Sequence, residues 1–178
     1  SRRQRQMCIR DRYYMWYYMI LADCFADNAY SGGDDVDINN VFLRDLTPRN
    51  AVVMKSWKSL YGSIMRCNVA LKYIPQINDP LLDAEAFTGV SKREEMLGEA
   101  SFLRALHYFN LVKTWGCVPV VTTTGSTAPA DVQVPRADSE EEVYARIIED
   151  LEFALTRLPD KRATEAETRG FASKGAVN

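Results

Sequence analysis

The segment SKREEMLGEASFLRALHYFNLVKTWGCVP, residues 91–119, decides the fold. It opens on Ser91 with Glu94 three residues later, a capping box in which the serine oxygen takes an orphan backbone N–H and the glutamate reaches back to the cap residue. From Met96 to Trp115 apolar residues fall on more than one side, with Phe102, Leu103, Leu106 and Phe109 expected in the core. A helix of that kind is buried between neighbours rather than laid on a surface. Gly116 supplies a left-handed stop and Pro119 prevents continuation. Glu99 and Arg104 stand five apart, too far round the helix to pair. Each is expected to meet groups on adjoining helices, as a buried charge must. His107 reads as a core histidine, and Trp115 and Trp57 as packing residues.

Outward from this helix the pattern repeats. Upstream, Val53, Trp57, Leu60, Tyr61, Ile64, Ala70 and Leu71 recur at helical spacing, predicting a helix from Thr47-Pro48 to Tyr73. Thr47 is its expected cap, Pro48 its first position, and Pro75 its end. Downstream, Ser139 and Glu142 form a second capping box, and Val143, Ile147, Leu151, Ala154, Leu155 and Leu158 the inward face of a helix closed by Pro159. Glu140, Glu141 and Glu142 suit the positive end of that helix and need no catalytic explanation. The β-branched, turn-rich run 117–135 reads as an extended crossing segment with a short strand at Val118–Thr122. Gly170 onward reads as a further helix that the sequence leaves at Asn178. Its apolar side would lack a partner, so the chain is expected to be the N-terminal portion of a longer protein. The aromatic run from Tyr13 to Ala22 predicts a first amphipathic helix. The expected class is all-α: helical hairpins with one long irregular loop. No clean 34-residue repeat emerges.

Composition closes off most chemistry. Among 178 residues, 47% are apolar and one is histidine, which excludes disorder and multi-His metal sites and removes most hydrolase schemes that need a His base. Residues 1–12 hold five Arg and one Asp without apolar periodicity and read as disordered or foreign to the rest. The remaining 13–178 carries 17 basic and 23 acidic groups, a net of −6, which argues against nucleic acid. No run reaches the roughly 18–20 apolar residues of a membrane-spanning helix. The basic start, apolar run and Cys24 imitate a lipoprotein signal, but Asp23 stands where a small residue is wanted. Cys67 and Cys117 read as free thiols in apolar surroundings.

Gly98-Glu99-Ala100, Phe102-Leu103-Arg104-Ala105, Tyr108-Phe109, Leu111-Val112 and Trp115-Gly116-Cys117-Val118-Pro119 together resemble the signature of the SusD/RagB family. Trp57, Tyr61, Ile64 and Arg66-Cys67-Asn68 resemble its preceding helix. Val143-Tyr144, Ile147, Asp150-Leu151, Ala154 and Leu158-Pro159 resemble the following one. The resemblance covers about residues 21–178. It implies tetratricopeptide-like helix pairs in surface-exposed outer-membrane lipoproteins of Bacteroidota. Such proteins capture glycans, perform no covalent chemistry and sit as a lid on a SusC-like, TonB-dependent transporter, with the lipid anchor upstream of this region.

A sugar site needs exposed aromatic faces together with carboxylates, amides and arginines that bond hydroxyls. The polar loop 27–50 offers these: Tyr30 and Phe42 as platforms, with Asp34, Asp35, Asp37, Asn39, Asn40, Arg44 and Arg49 as polar partners. Asp35-Val36-Asp37-Ile38-Asn39 is similar to half a calcium loop, but Asn40 replaces the required Gly and Leu46 the bidentate Glu. No metal and no cofactor is expected. Two rival classes are a helical-repeat scaffold binding a protein or peptide, and a glycosidase. The latter needs two carboxylates facing a cleft, which nothing in the sequence places.

Overall fold

The computed structural model describes residues 13–87, 89–124, 134–160 and 171–177. Residues 1–12, Gly170, Asn178 and 125–133 of the crossing segment, about which the sequence raised expectations, lie outside the described residues. The elements in chain order are two π-helical stretches (Tyr13–Tyr17 and Ile20–Cys24), α1 (Val36–Phe42), α2 (Ala51–Tyr73), a 3₁₀ turn (Ile74–Gln76) and α3 (Pro80–Asp83). They continue with β1 (Glu85–Phe87), β2 (Val90–Ser91), α4 (Lys92–Trp115), α5 (Glu140–Leu155) and α6 (Lys174–Val177). The helical class is as expected. The chain divides into two compact units at Gly62–Ser63, inside α2.

In the first unit the initial helix is wound with wide π turns, and Tyr13, Tyr17, Ile20 and Cys24 form its buried side. Loop 27–50 is not wholly irregular, because α1 forms within it. Asp35 is the reason: its carboxylate accepts from the Asp37 and Ile38 amides at 3.0 and 3.2 Å. The half-calcium pattern is thus a helix cap. Helix α2 starts three residues later than Pro48. Asn50, not Thr47, caps it, accepting from the Val52 and Val53 amides at 3.0 and 3.2 Å, while 47–50 closes as a turn with Asn50 N–H on Thr47 O. Proline at the second place of a turn explains the shift. The most buried side of α2 here is Val52, Ser56 and Leu60. Val53, Trp57 and Tyr61 are only half-buried, and the Trp57 and Tyr61 rings lie 4.8 Å apart. The buried Ser56 hydroxyl is satisfied within the helix, donating to the Val52 carbonyl at 2.6 Å.

The second unit is a hairpin of α4 and α5. Ser91 caps α4, accepting from the Glu94 amide at 3.3 Å, and Gly116 ends it at φ 66° with its N–H on the Val112 carbonyl, both as expected. Ser139 makes no such cap; Glu142 instead accepts from the Asp138 amide at 3.1 Å. The face of α4 toward the core is Ala100, Ser101, Arg104, Ala105, His107, Tyr108, Leu111 and Val112. Phe102, Leu103 and Leu106 are half-buried and Phe109 is 40% exposed, with the Lys113 ammonium 4.3 Å from its ring, contrary to the expected core role. The physical reason is Asp150, buried at the centre of α5's inward face between Ile147 and Ala154. Arg104 must face it, which leaves Leu103 beside it and Phe102 two residues back only half-buried and turns Phe109 outward.

Arg104 forks onto Asp150 with two bonds of 2.7 Å and gives a third, also 2.7 Å, to Asn68 of α2. Arg146 also pairs with Asp150, and Ser101 Oγ bonds the Asp150 carbonyl at 3.0 Å. Arg104 and Asp150 are therefore satisfied, as their burial requires, while Arg146 Nε is buried without a hydrogen-bond partner among the described residues. Around it Leu111, Val118, Val143 and Leu158 are fully covered, each worth about 1.5–3 kcal/mol against exposure. Gly98 allows the close approach: a Cβ there would sit 2.9 Å from Arg157 Cβ.

The expected strand at 118–122 is absent, because side chains occupy its backbone. Tyr108 Oη donates to the Val121 carbonyl and accepts from the Val121 amide, at 2.9 and 2.7 Å, and Asn68 Nδ2 donates to the carbonyls of Val121 and Thr123 at 2.8 and 3.3 Å. The strands that do form, β1 and β2, are a small antiparallel hairpin against the start of α4. They are too short to show an alternating pattern. Arg93 then bonds Asp83 at 2.8 Å and the Ile74 carbonyl at 2.7 Å, and the guanidinium holds the Asp83 carboxyl below its usual range. Cys67 is buried and Cys117 half-buried, and neither is in a disulfide.

Candidate functional site

The first unit gathers most of the expected ligand-binding residues, and it does so by fixing the loop locally. Asn39 on α1 accepts a short hydrogen bond from Ser31 Oγ and donates to the Gly33 carbonyl at 3.0 Å, folding 31–33 back onto the helix. Asn50 Nδ2 donates to the Asp37 carbonyl at 2.8 Å, tying α1 to the start of α2. The far end of α1 closes in a Schellman motif: the Asp45 amide bonds the Asn40 carbonyl at 2.9 Å and the Arg44 amide that of Val41 at 3.1 Å. Arg44 therefore takes φ 59°, unfavourable for a side chain with a Cβ. Its guanidinium pairs with Asp27 at 2.7 Å and donates to the Phe25 carbonyl at 3.3 Å, while Asp27 is itself left-handed at φ 63°. The two ends of the loop are thus clasped.

Held in this frame, Tyr30 is 78% exposed and meets Phe42 edge to face, ring centres 5.2 Å apart. An aromatic surface is presented to solvent without collapsing into the core. The polar residues divide by role. Asp35 and Asn39 hold the loop, Arg44 holds its ends, and Asn40 is half-buried with its carbonyl engaged. Asp34 and Arg49 are exposed and stand apart from any described cluster.

Asp35 and Asp37 also border a depression of about 400 Å³, with Trp16, Tyr17, Ile38 and Lys55. Trp16 and Lys55 were not singled out from sequence. The available signal for Trp16 was its offset from the Tyr13, Tyr17, Ile20, Cys24 spacing, which turns its indole to solvent at 53% exposure. Among the described residues, no group of three or more His, Cys, Asp or Glu side chains could hold a metal ion, and no helix is long and apolar enough to cross a membrane.

Known proteins share this fold. A SusD-like protein of Formosa agariphila is 32% identical over 137 residues, 77% of this chain and 24% of the relative. A SusD superfamily structure from Parabacteroides distasonis superposes with a TM-score of 0.71 at 27% identity, covering 90% of this chain and 31% of that one. A SusD-like carbohydrate-binding protein from Bacteroides fragilis superposes with a TM-score of 0.65 at 26% identity, covering 82% of this chain and 26% of that one. The chain spans about a quarter of the length of the curated relatives it matches. The SusD-like family model, described as starch-binding and associating with the outer membrane, matches residues 36–177. That match takes in the capped loop helix, the buried Arg104–Asp150 hairpin and everything between them, and the chain belongs to the SusD-like family.

Proposed function

We propose that this chain contributes to capture of oligosaccharides at the cell surface, as part of an outer-membrane lipoprotein that hands them to a SusC-like, TonB-dependent transporter. The observation that carries the reading is the Tyr30–Phe42 pair, an exposed aromatic surface on a loop fastened at both ends. Pyranose C–H faces pack on such rings, and a fixed loop loses little conformational freedom on binding. Family membership supports the reading, as does a 26%-identical structural relative that binds carbohydrate. The role is binding without covalent chemistry: the one histidine is sealed in α4 at 1% exposure. The family's association with the outer membrane supports the location.

Native affinity electrophoresis in gels containing starch, neutral β-glucans, galactomannan or polygalacturonate tests the proposal. At least one polysaccharide is expected to retard the chain, and Tyr30→Ala with Phe42→Ala to weaken that retardation with far-UV circular dichroism unchanged. Retardation by none, with a peptide recovered as ligand instead, would refute glycan capture.

A further inference from the structure

We infer that the depression bordered by Trp16, Asp37 and Lys55 is a sugar subsite separate from the Tyr30–Phe42 surface, built for an uncharged pyranose ring and hostile to uronate or sulfate. The inference rests on the glycan-capture reading and narrows its substrate class.

Three features converge there. Trp16 lines the depression with its indole 53% exposed, an apolar face kept in water although Tyr13 and Tyr17 on the same helical stretch are buried. Asp37 lies in the first turn of α1, half-buried, and its carboxylate has no hydrogen-bond or ion-pair partner among the described residues. Its main chain alone is engaged, through the Asp35 cap and Asn50. Lys55, in the opening turns of α2, borders the same space, and its ammonium likewise has no partner among the described residues. Opposite charges facing one hollow without pairing form an acceptor and a donor that a ligand can bridge.

A sugar ring satisfies all three. Vicinal hydroxyls donate to both oxygens of a carboxylate, a further hydroxyl or ring oxygen accepts from the ammonium, and the C–H face lies on the indole. At about 400 Å³ the hollow is at the small end of ligand sites, which run from roughly 300 to 1,000 Å³. Charge then selects among sugars. Among the described residues that border the hollow, Asp35 and Asp37 stand against Lys55 alone, and exposed Asp34 adjoins them in sequence, so an anionic sugar gains one favourable contact there and meets more unfavourable ones. Neither Tyr30 nor Phe42 borders the hollow, so the two surfaces can be tested separately.

The test compares wild type, Trp16→Ala, Trp16→Phe, Asp37→Asn, Lys55→Ala and Tyr30→Ala in gels of neutral β-glucan and of polygalacturonate, with circular dichroism as the fold control. The inference expects retardation by the neutral polymer and none by polygalacturonate. Trp16→Ala and Asp37→Asn should each weaken the apparent Kd by about tenfold or more, the loss of one stacking or charge-assisted contact. Lys55→Ala should weaken it less, and Trp16→Phe should keep most of it. If Trp16→Ala and Asp37→Asn bind as wild type while Tyr30→Ala does not, the subsite is refuted and glycan capture stands. Stronger retardation of wild type by polygalacturonate than by neutral glucan refutes the uncharged class. Retardation by neither polymer nor any other in the panel removes capture and the subsite together.

Discussion

Replacing Asp150 with alanine removes the anion that two arginines surround, and its cost follows from the geometry. The Asp150 and Arg104 side chains are 2% and 7% exposed, and the pair shares two bonds of 2.7 Å. Without Asp150, Arg104 keeps only its bond to Asn68, and Arg146 keeps Glu149 at 2.9 Å. Two charge-assisted bonds at about 1.5–3 kcal/mol each agree with the roughly 3–5 kcal/mol measured when one member of a buried ion pair is removed. For a chain of this size, a loss of about 4 kcal/mol lowers Tm by roughly 8–16 °C. Urea unfolding followed by far-UV circular dichroism measures it, with thermal melts alongside. The paired replacement Arg104→Met with Asp150→Leu should recover most of the loss, because no charge is then stranded. A loss below about 1 kcal/mol for Asp150→Ala would refute the claim that this cluster holds the α4–α5 hairpin together.

Gly98→Ala should destabilise by about 1–3 kcal/mol despite better helix propensity, since the new methyl meets Arg157 Cβ at 2.9 Å; chemical denaturation reads the sign. Asn50→Ala should cost about 1–2 kcal/mol through the lost cap, and Asn50→Asp should cost less, because it keeps the acceptor for Val52 and Val53 but not the donor to Asp37. Burial pushes the Tyr108 hydroxyl up from 10.0 to about 12. Its neutral form is therefore favoured in the folded state, and its contribution is complete below about pH 10 and lost as pH rises from there toward 12. The size is about 3 kcal/mol. Unfolding measured between pH 9 and 12 should show this alkaline loss in wild type and lack it in Tyr108→Phe, which should also be about 1–3 kcal/mol less stable at neutral pH.

The long helices were legible because their signals are local. Ser91, Gly116 and Pro159 act within one turn of chain, and the structure places helix ends beside each. What escaped depends on partners distant in sequence. Arg104 faces inward and Phe109 outward because Asp150, 46 residues on, supplies the anion, and no apolar pattern encodes that choice. The same distance explains Val118–Thr122, where β-branched residues suggest a strand but Tyr108 and Asn68 take up the backbone. In the loop, several of the residues drawn from sequence serve the scaffold. Asp35 caps, Asn39 ties and Arg44 clasps, because Asx side chains bond nearby backbone as readily as they bond solutes. For Trp16 the spacing of its neighbours marks an outward-facing side chain, but nothing local encodes the hollow it lines, which α1 and α2 complete.

The bonds from Tyr108 and Asn68 to the 121–123 stretch all end on main-chain atoms. Any residue but proline at position 121, and any residue at all at 123, presents the same amide and carbonyl groups. This fastening is consequently indifferent to side-chain identity. Mutational drift can rewrite those positions, and with them the outward chemistry of the crossing, while the two helices that grip it remain unaltered.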